Sequence, residues 1–332
     1  IGKGSFGSVG AVRVKKSVTN YSGRIPGAQM AIKIFSKSNI RDDVPVSPTN
    51  ANRERRNLAM LEWHPFITGM YTCIQDSKNL YQLMELGHLG SLRKLIKERG
   101  PLPTSVCQFY FANLVLALEF LHGNDLIHCD LKPDNIVIGA NGYLMLCDFG
   151  NSGFREEERD WNLVGTTMYA SPEALVELVD EEIAESVDWW AAGCILFEMA
   201  TGRAVNLAND NATKELEKRV IKCQWWWPRS LDVDPVLRDL VERMLNKDFE
   251  KRLGCVVPLP EQDKGPLKNK KIRAHRFLRK FPWKGMERRS LAAPFVPTQV
   301  PDASEEEWDS IPLPQQKDVP GLTIVKPVSR AH

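Results

Sequence analysis

The sequence predicts an α+β chain of two lobes, a small β-rich one followed by a larger, mostly helical one. Three observations point there. The chain has 332 residues, more than one ordinary core holds but comfortable for two. Its first part alternates short apolar runs with turn formers, and from about residue 91 helical periodicity takes over. Hydrophobic residues make up 43% and charged residues 26%, which is ordinary globular composition.

Taken in order, "VRVK" at 12–15 and "MAIKIF" at 30–35 read as strands, with the turn-rich "NYSGRIPGAQ" between them as a loop. A helix is expected within "NRERRNLAMLEWHP", capped by Asn50 or Asn52 and ended by Pro65, with Glu54 and Leu58 on one face. "NLYQLMEL" returns to strand, and "GHLG" at 87–90 reads as a flexible joint between lobes. Beyond it, Val106, Phe109, Tyr110, Leu114, Ala117, Leu118 and Leu121 form a helical stripe with Gly123 after it. "DWWAAGCILFEMATG" is apolar all round, as a central helix should be, and "PVLRDLVERML" turns Leu237, Leu240, Val241, Met244 and Leu245 inward. Residues 258–271 read as a loop carrying a solvated "KNKK" run, and prolines from Pro282 to Pro327 forbid a long helix. The expected division is 1–87 for the small lobe, 88–290 for the large lobe and 291–332 for a proline-rich tail lying on them.

The net charge of +2 makes no case for a nucleic-acid or membrane partner. No apolar run long enough to span a bilayer and no signal peptide are expected, although the chain opens abruptly inside a glycine motif. Seven cysteines without a CxxC pair suit reduced thiols in an intracellular, cytoplasmic or nuclear setting. Cys73, Cys107, Cys147, Cys194 and Cys223 sit in apolar stretches as small core residues.

The chemistry lies in four motifs. "GKGSFGSV" at 2–9 places Gly2, Gly4 and Gly7 where backbone amides can approach phosphate, ahead of Val9. A dinucleotide fold has the same spacing but would continue into a helix, whereas here the strand with Ala31 and Lys33 follows. A lysine inside an apolar strand needs a partner, and Glu54 is the candidate. "HCDLKPDN" at 128–135 supplies Asp130 to accept a hydroxyl proton, Lys132 to offset phosphoryl charge and Asn135 to hold a metal. "DFG" at 148–150 follows after enough chain for a hairpin, so Asp148 can return to the same cleft as a hard oxygen ligand for Mg²⁺.

In that order the motifs make the chain resemble a eukaryotic serine/threonine protein kinase over about residues 1–290. "HPFI", "VDWWAAG", "KRLG" and "APFVP" resemble the AGC group. The resemblance implies a bilobal kinase fold, with ATP and Mg²⁺ as cofactors and a protein Ser/Thr as substrate, acting as a monomer. It also implies a gatekeeper at Met84, an adenine-contacting hinge over Glu85 to Gly87, and a substrate-seating segment "GTTMYASPE". Glu173 would pair with Arg252, and Asp188 would anchor the catalytic loop.

The departures are as informative. Most relatives in the resembled family carry arginine where this chain has Cys129, and that arginine receives a phosphorylated activation-loop residue. The threonine that AGC kinases phosphorylate three residues before "GT" is here Asn162. Both halves of the switch are missing while Lys33, Glu54, Asp130, Lys132, Asn135 and Asp148 remain. An active kinase with a loop ordered without phosphorylation is therefore expected, and an adjacent acid disfavours Cys129 as a redox switch. Asp134 and Glu198 match two acids that bind arginine upstream of the target in basic-directed relatives, but Ser91 replaces a third. The group's C-terminal hydrophobic motif is missing, Trp308 reads as a surface residue, and Trp225 to Trp227 are expected to pack on the large lobe. The alternatives are a pseudokinase scaffold, which has no need for Asp130 with Asp148, and a small-molecule phosphotransferase, which has no need for "GTTMYASPE".

Overall fold

A computed structural model describes residues 2–4, 7–13, 29–37, 50–157, 161, 165–180, 184–205, 213–255 and 270–296. Asn162, Trp308 and the tail beyond 296 lie outside these residues. In the first lobe, strands β1 (Gly2–Gly4), β2 (Gly7–Arg13), β3 (Gln29–Ser36), β4 (Met70–Gln75) and β5 (Asn79–Glu85) form one antiparallel sheet in the order β1-β2-β3-β5-β4. Helix α1 (Asn50–Met60) lies between β3 and β4 in sequence.

Register decides what the sheet presents. Val9 pairs with Lys33, Ala31 with Met84, and Lys33 with Gln82. Residues directly opposite share a face, and side chains alternate along each strand. Val9, Ala31, Lys33, Gln82 and Met84 therefore line one face. The other carries Val12, Met30, Ile32 and Tyr81, which form a small core of their own.

The larger lobe is built on α2 (Leu92–Arg99), α3 (Thr104–His122), α5 (Glu185–Thr201) and α7 (Pro235–Met244), with short α4 (Pro172–Leu175), α6 (Thr213–Ile221), α8 (Lys270–Ala274) and α9 (Trp283–Glu287) around them. Local chemistry sets the ends. Asp234 caps α7 by accepting from Val236 and Leu237 backbone N–H groups at 2.8 and 2.9 Å, just ahead of Pro235. Gly202 stops α5 in the left-handed conformation. All five apolar residues expected to face inward from α7 are buried.

Short strands β6 (Leu126–Ile127), β7 (Ile136–Ile138), β8 (Leu144–Leu146) and β9 (Gly153–Phe154) sit at the boundary between the lobes, pairing β6 with β9 and β7 with β8.

Several expectations are corrected. Helix α1 begins at Asn50 and ends at Met60, so Asn52 lies inside it and Pro65 sits in a separate turn beyond it, closed by Ile67 N–H on the His64 carbonyl at 3.1 Å. Helix α3 is 19 residues long and by length and composition could cross a bilayer, contrary to the expected absence of such a run. It is buried over most of its surface rather than along one stripe, because α5, α9, β6 and β8 pack around it. Gly123 after it is right-handed, and the positive φ falls at Asp125. Lys270 and Lys271 open α8 rather than a loop. "GHLG" is pinned: Leu89 N–H donates to the Ile138 carbonyl and Ile138 N–H to the Gly90 carbonyl, at 3.1 and 2.9 Å. Trp225 and Trp227 pack on Phe197, but Trp226 is 67% exposed.

Candidate active site

The β1–β2 hairpin brings Gly4 opposite Gly7 and Gly2 opposite Val9, which puts the three glycines in the edge hairpin of the sheet, next to the strand that carries Lys33. On that face Lys33 Nζ donates 2.8 Å bonds to Glu54 Oε2 and to Asp148 Oδ1. Helix α1 supplies the buried Glu54, whose second oxygen accepts the Phe149 backbone N–H at 3.3 Å. A charge removed from water is tolerable only when paired, and this one has two partners. Burial alone would lower the Lys33 pKa, but the two carboxylates outweigh it and raise it well above the ordinary value. Burial pushes the Glu54 carboxyl up, with Lys33 opposing. Asp148 goes down, because Lys33 outweighs the desolvation.

Between β6 and β7, residues 128–135 are fixed from below by α5. Buried Asp188 accepts backbone N–H groups of His128 and Cys129 at 2.9 and 3.0 Å, and the His122 ring lies 2.9 Å from it. The loop is tight: Cys129 has φ 64°, a region non-glycine residues enter at a cost and mostly at constrained sites. Asp130 follows. Its Oδ2 lies 2.8 Å from Lys132 Nζ and its Oδ1 accepts from the Thr166 hydroxyl at 2.9 Å, while Lys132 also donates to that hydroxyl at 2.8 Å. Asn135 Nδ2 donates to the Asp130 carbonyl at 2.8 Å, which leaves its Oδ1 as the acceptor.

The β7–β8 hairpin returns the chain as expected. Cys147 N–H donates to the Asn135 carbonyl at 2.9 Å, and Asn151 Nδ2 to Asp130 Oδ2 at 3.3 Å. Asp148 and Asp130, 18 residues apart, are thus tied to one cleft. Asp148 also has positive φ, 66°, and its side chain is 41% exposed with one oxygen held by Lys33. At the far edge of the cleft Met84 is buried, and Glu85 accepts the Gly69 N–H at 2.9 Å. Gly87 lies so close to β7 that a Cβ there would come within 2.5 Å of Val137 Cβ.

Below the cleft, "GTTMYASPE" docks on the catalytic loop. Gly165, at φ 96°, approaches so closely that a Cβ would strike the Cys129 carbonyl oxygen and sit 3.1 Å from Asp130 Cα. Glu173 and Arg252 form a two-point pair at 2.5 and 2.8 Å, with the Ser186 hydroxyl donating to Glu173 at 2.8 Å. The Arg252 interaction outweighs burial and lowers the Glu173 pKa. Cys129 packs with Trp161, Ile127, Ala174, Val179 and Ala184 in an apolar cluster. Beside it a cavity of about 20 Å³ remains, room for roughly one water.

The structure thus brings together Lys33, Glu54 and Asp148, and beside them Asp130, Lys132 and Asn135. Val9, Ala31 and Met84 share the face above, with Gly2, Gly4 and Gly7 at its edge and Glu85 and Gly87 between the lobes. Sequence reasoning missed Asn151, whose one signal was its place directly after "DFG". It also missed Trp161, and Arg93, which bonds Asp134 at 3.1 Å and reaches Glu198 and the Tyr169 hydroxyl. Ser91, expected to leave an acid site empty, caps α2 by accepting the Lys94 N–H at 3.3 Å.

A protein kinase domain model matches residues 1–261. The chain belongs to the protein kinase family. Its relatives place the kinase in the serine/threonine AGC-like group. It is 33% identical over 315 residues to a putative 3-phosphoinositide-dependent protein kinase 2 of Homo sapiens, covering 93% of this chain and 72% of the relative. It is 31% identical over 330 residues to a cAMP-dependent protein kinase, catalytic subunit-like, of Caenorhabditis elegans, covering 96% and 74%. Against protein kinase C-like 1B of C. elegans it is 33% identical over 312 residues, but spans only 41% of that relative's length.

Proposed function

We propose that this kinase transfers the ATP γ-phosphoryl to a serine or threonine hydroxyl of a protein substrate, and does so without activation-loop phosphorylation. The observation that carries the transfer is the joining of Lys33, Glu54 and Asp148 beside Asp130 and Asn135. Asp130 orients the substrate hydroxyl and accepts its proton. Lys132, held between Asp130 and Thr166, offsets charge at the transferred group, and Lys33, fixed by Glu54, holds phosphate oxygens. Gly2, Gly4, Gly7 and Val9 cover the phosphates, while Ala31, Met84, Glu85 and Gly87 frame the adenine. The donor set fits Mg²⁺: the exposed Asp148 carboxylate and the Asn135 carbonyl are hard oxygens, and the ion, when bound, neutralises phosphate charge.

Independence from phosphorylation is supported by the seat of the loop. Trp161 on Cys129, Gly165 against Asp130 and Thr166 on both Asp130 and Lys132 hold the segment by packing and hydrogen bonds, with no cation awaiting a phosphate at position 129. An intracellular, cytoplasmic or nuclear, location is in keeping with seven cysteines that form no disulfide.

The test is phosphorylation of a serine/threonine peptide library by the purified protein with Mg-ATP, before and after exhaustive phosphatase treatment, beside Asp130→Asn. Transfer is expected in both untreated and treated protein and absent from the variant. No transfer to any peptide would sink the enzyme reading, and loss only after phosphatase would sink the second clause.

A further inference from the structure

The Arg93 guanidinium sits beside the catalytic loop, and its surroundings define a specificity device. It is presented by the first turn of α2 and bridges three segments. Nε donates to Asp134 Oδ2 at 3.1 Å, one NH group to Glu198 Oε1 and the other to the Tyr169 hydroxyl, which in turn donates to Glu198 Oε2 at 2.7 Å. Asp134 is adjacent to Asn135, and Tyr169 is three residues past Thr166, so the cluster borders the place where a substrate must bring its hydroxyl to Asp130. The Glu198 side chain is 2% exposed, Arg93 is 30% exposed and Asp134 is 50% exposed.

A buried carboxylate near the cleft is what would attract an arginine from a substrate, since a planar guanidinium makes several bonds at once. Here both oxygens of Glu198 are already satisfied from within the chain. Within this cluster the acidic edge that faces solvent belongs to Asp134, and an exposed single ion pair discriminates weakly.

We propose that Arg93 is a built-in occupant of the site for a basic substrate residue, so that this kinase has little preference for an upstream arginine in its targets. This rests on the kinase reading above. Arg93 is thus a specificity-determining residue: it touches the subsite and not the reacting atoms.

The test compares two peptide sets, identical but for arginine or alanine before the target serine, on wild type, Arg93→Met and Arg93→Met/Glu198→Gln. In wild type the arginine peptides are expected to gain about threefold or less in kcat/KM. Arg93→Met leaves Glu198 without its cation, and arginine peptides should then be favoured about tenfold or more, mainly through KM. Adding Glu198→Gln should erase that gain. A binding readout accompanies it: arginine peptide, but not alanine peptide, should raise the Tm of Arg93→Met. Tenfold arginine preference in active wild type, or no gain in a folded Arg93→Met, overturns the proposal while leaving the kinase reading intact. Failure of wild type to phosphorylate either set removes both.

Discussion

Two ion pairs in this molecule use the same chemistry for opposite ends. Arg252 and Glu173 are sealed, with side chains 0% and 3% exposed and every nitrogen of the guanidinium donating. Lys33 and Glu54 are 17% and 1% exposed, and the lysine is shared with the accessible Asp148. A closed pair can only hold structure together. A pair with one open side can exchange a partner for an incoming phosphate. Openness, not charge, separates bracket from machinery.

The largest expected effect breaks the closed pair. Arg252→Met leaves Glu173 buried without a cation and should cost about 3–5 kcal/mol of stability, read by chemical denaturation. Arg252→Lys should recover only part of it, because one ammonium cannot make the two-point contact. Lys33→Met should do the reverse: kcat falls by about 10²–10³, while Tm falls less than in Arg252→Met, because burial already pushes the Glu54 carboxyl up and lets it take a proton once its cation is gone. A large loss of Tm there would erase the contrast between the two pairs.

Gly165→Ala tests the loop seat between them. It forces a Cβ against the catalytic loop and strains a left-handed backbone, so about 1–3 kcal/mol of local destabilisation is expected. It should appear as a lower kcat and faster amide exchange over 165–170, with the sheet of the first lobe unaffected.

The smallest effect is a pH dependence remote from either pair. The half-buried His64 ring stacks on Phe120 at 4.1 Å. Burial first, and Arg289 second, push its pKa from 6.5 down to about 4. The unfolded ring binds a proton that the folded ring refuses. Its contribution is therefore full above pH 6.5 and lost as pH falls towards 4, about 1–2 kcal/mol after allowing for partial solvation. His64→Phe should flatten the stability profile in that window.

The order of elements and the charged machinery were legible because each rests on local pattern. Lysine in an apolar strand demands a partner, and a strand rather than a helix after the glycines excludes a dinucleotide fold. Three-dimensional neighbours were less legible. Nothing in "SLRKLIK" marks Arg93 as the partner of Glu198, 105 residues away, and Trp161 lies in a polar stretch whose packing on Cys129 depends on how the chain folds back. "GHLG" looked mobile because glycine signals freedom in isolation, whereas the contacts with β7 remove it. The stripe on α3 was too narrow because a helix enclosed on all sides carries apolar residues all round.

The segment after α9 has a practical consequence. Tyr143 donates to the Leu291 carbonyl at 2.7 Å, the Phe295 ring lies 6.5 Å from Tyr110, and Arg99 stands over that same ring. Those few residues act as a strap across the back of the helical lobe, so trimming the protein at 290 for crystallisation would uncover aromatic surface and invite self-association. A cut placed after 296 would spare it.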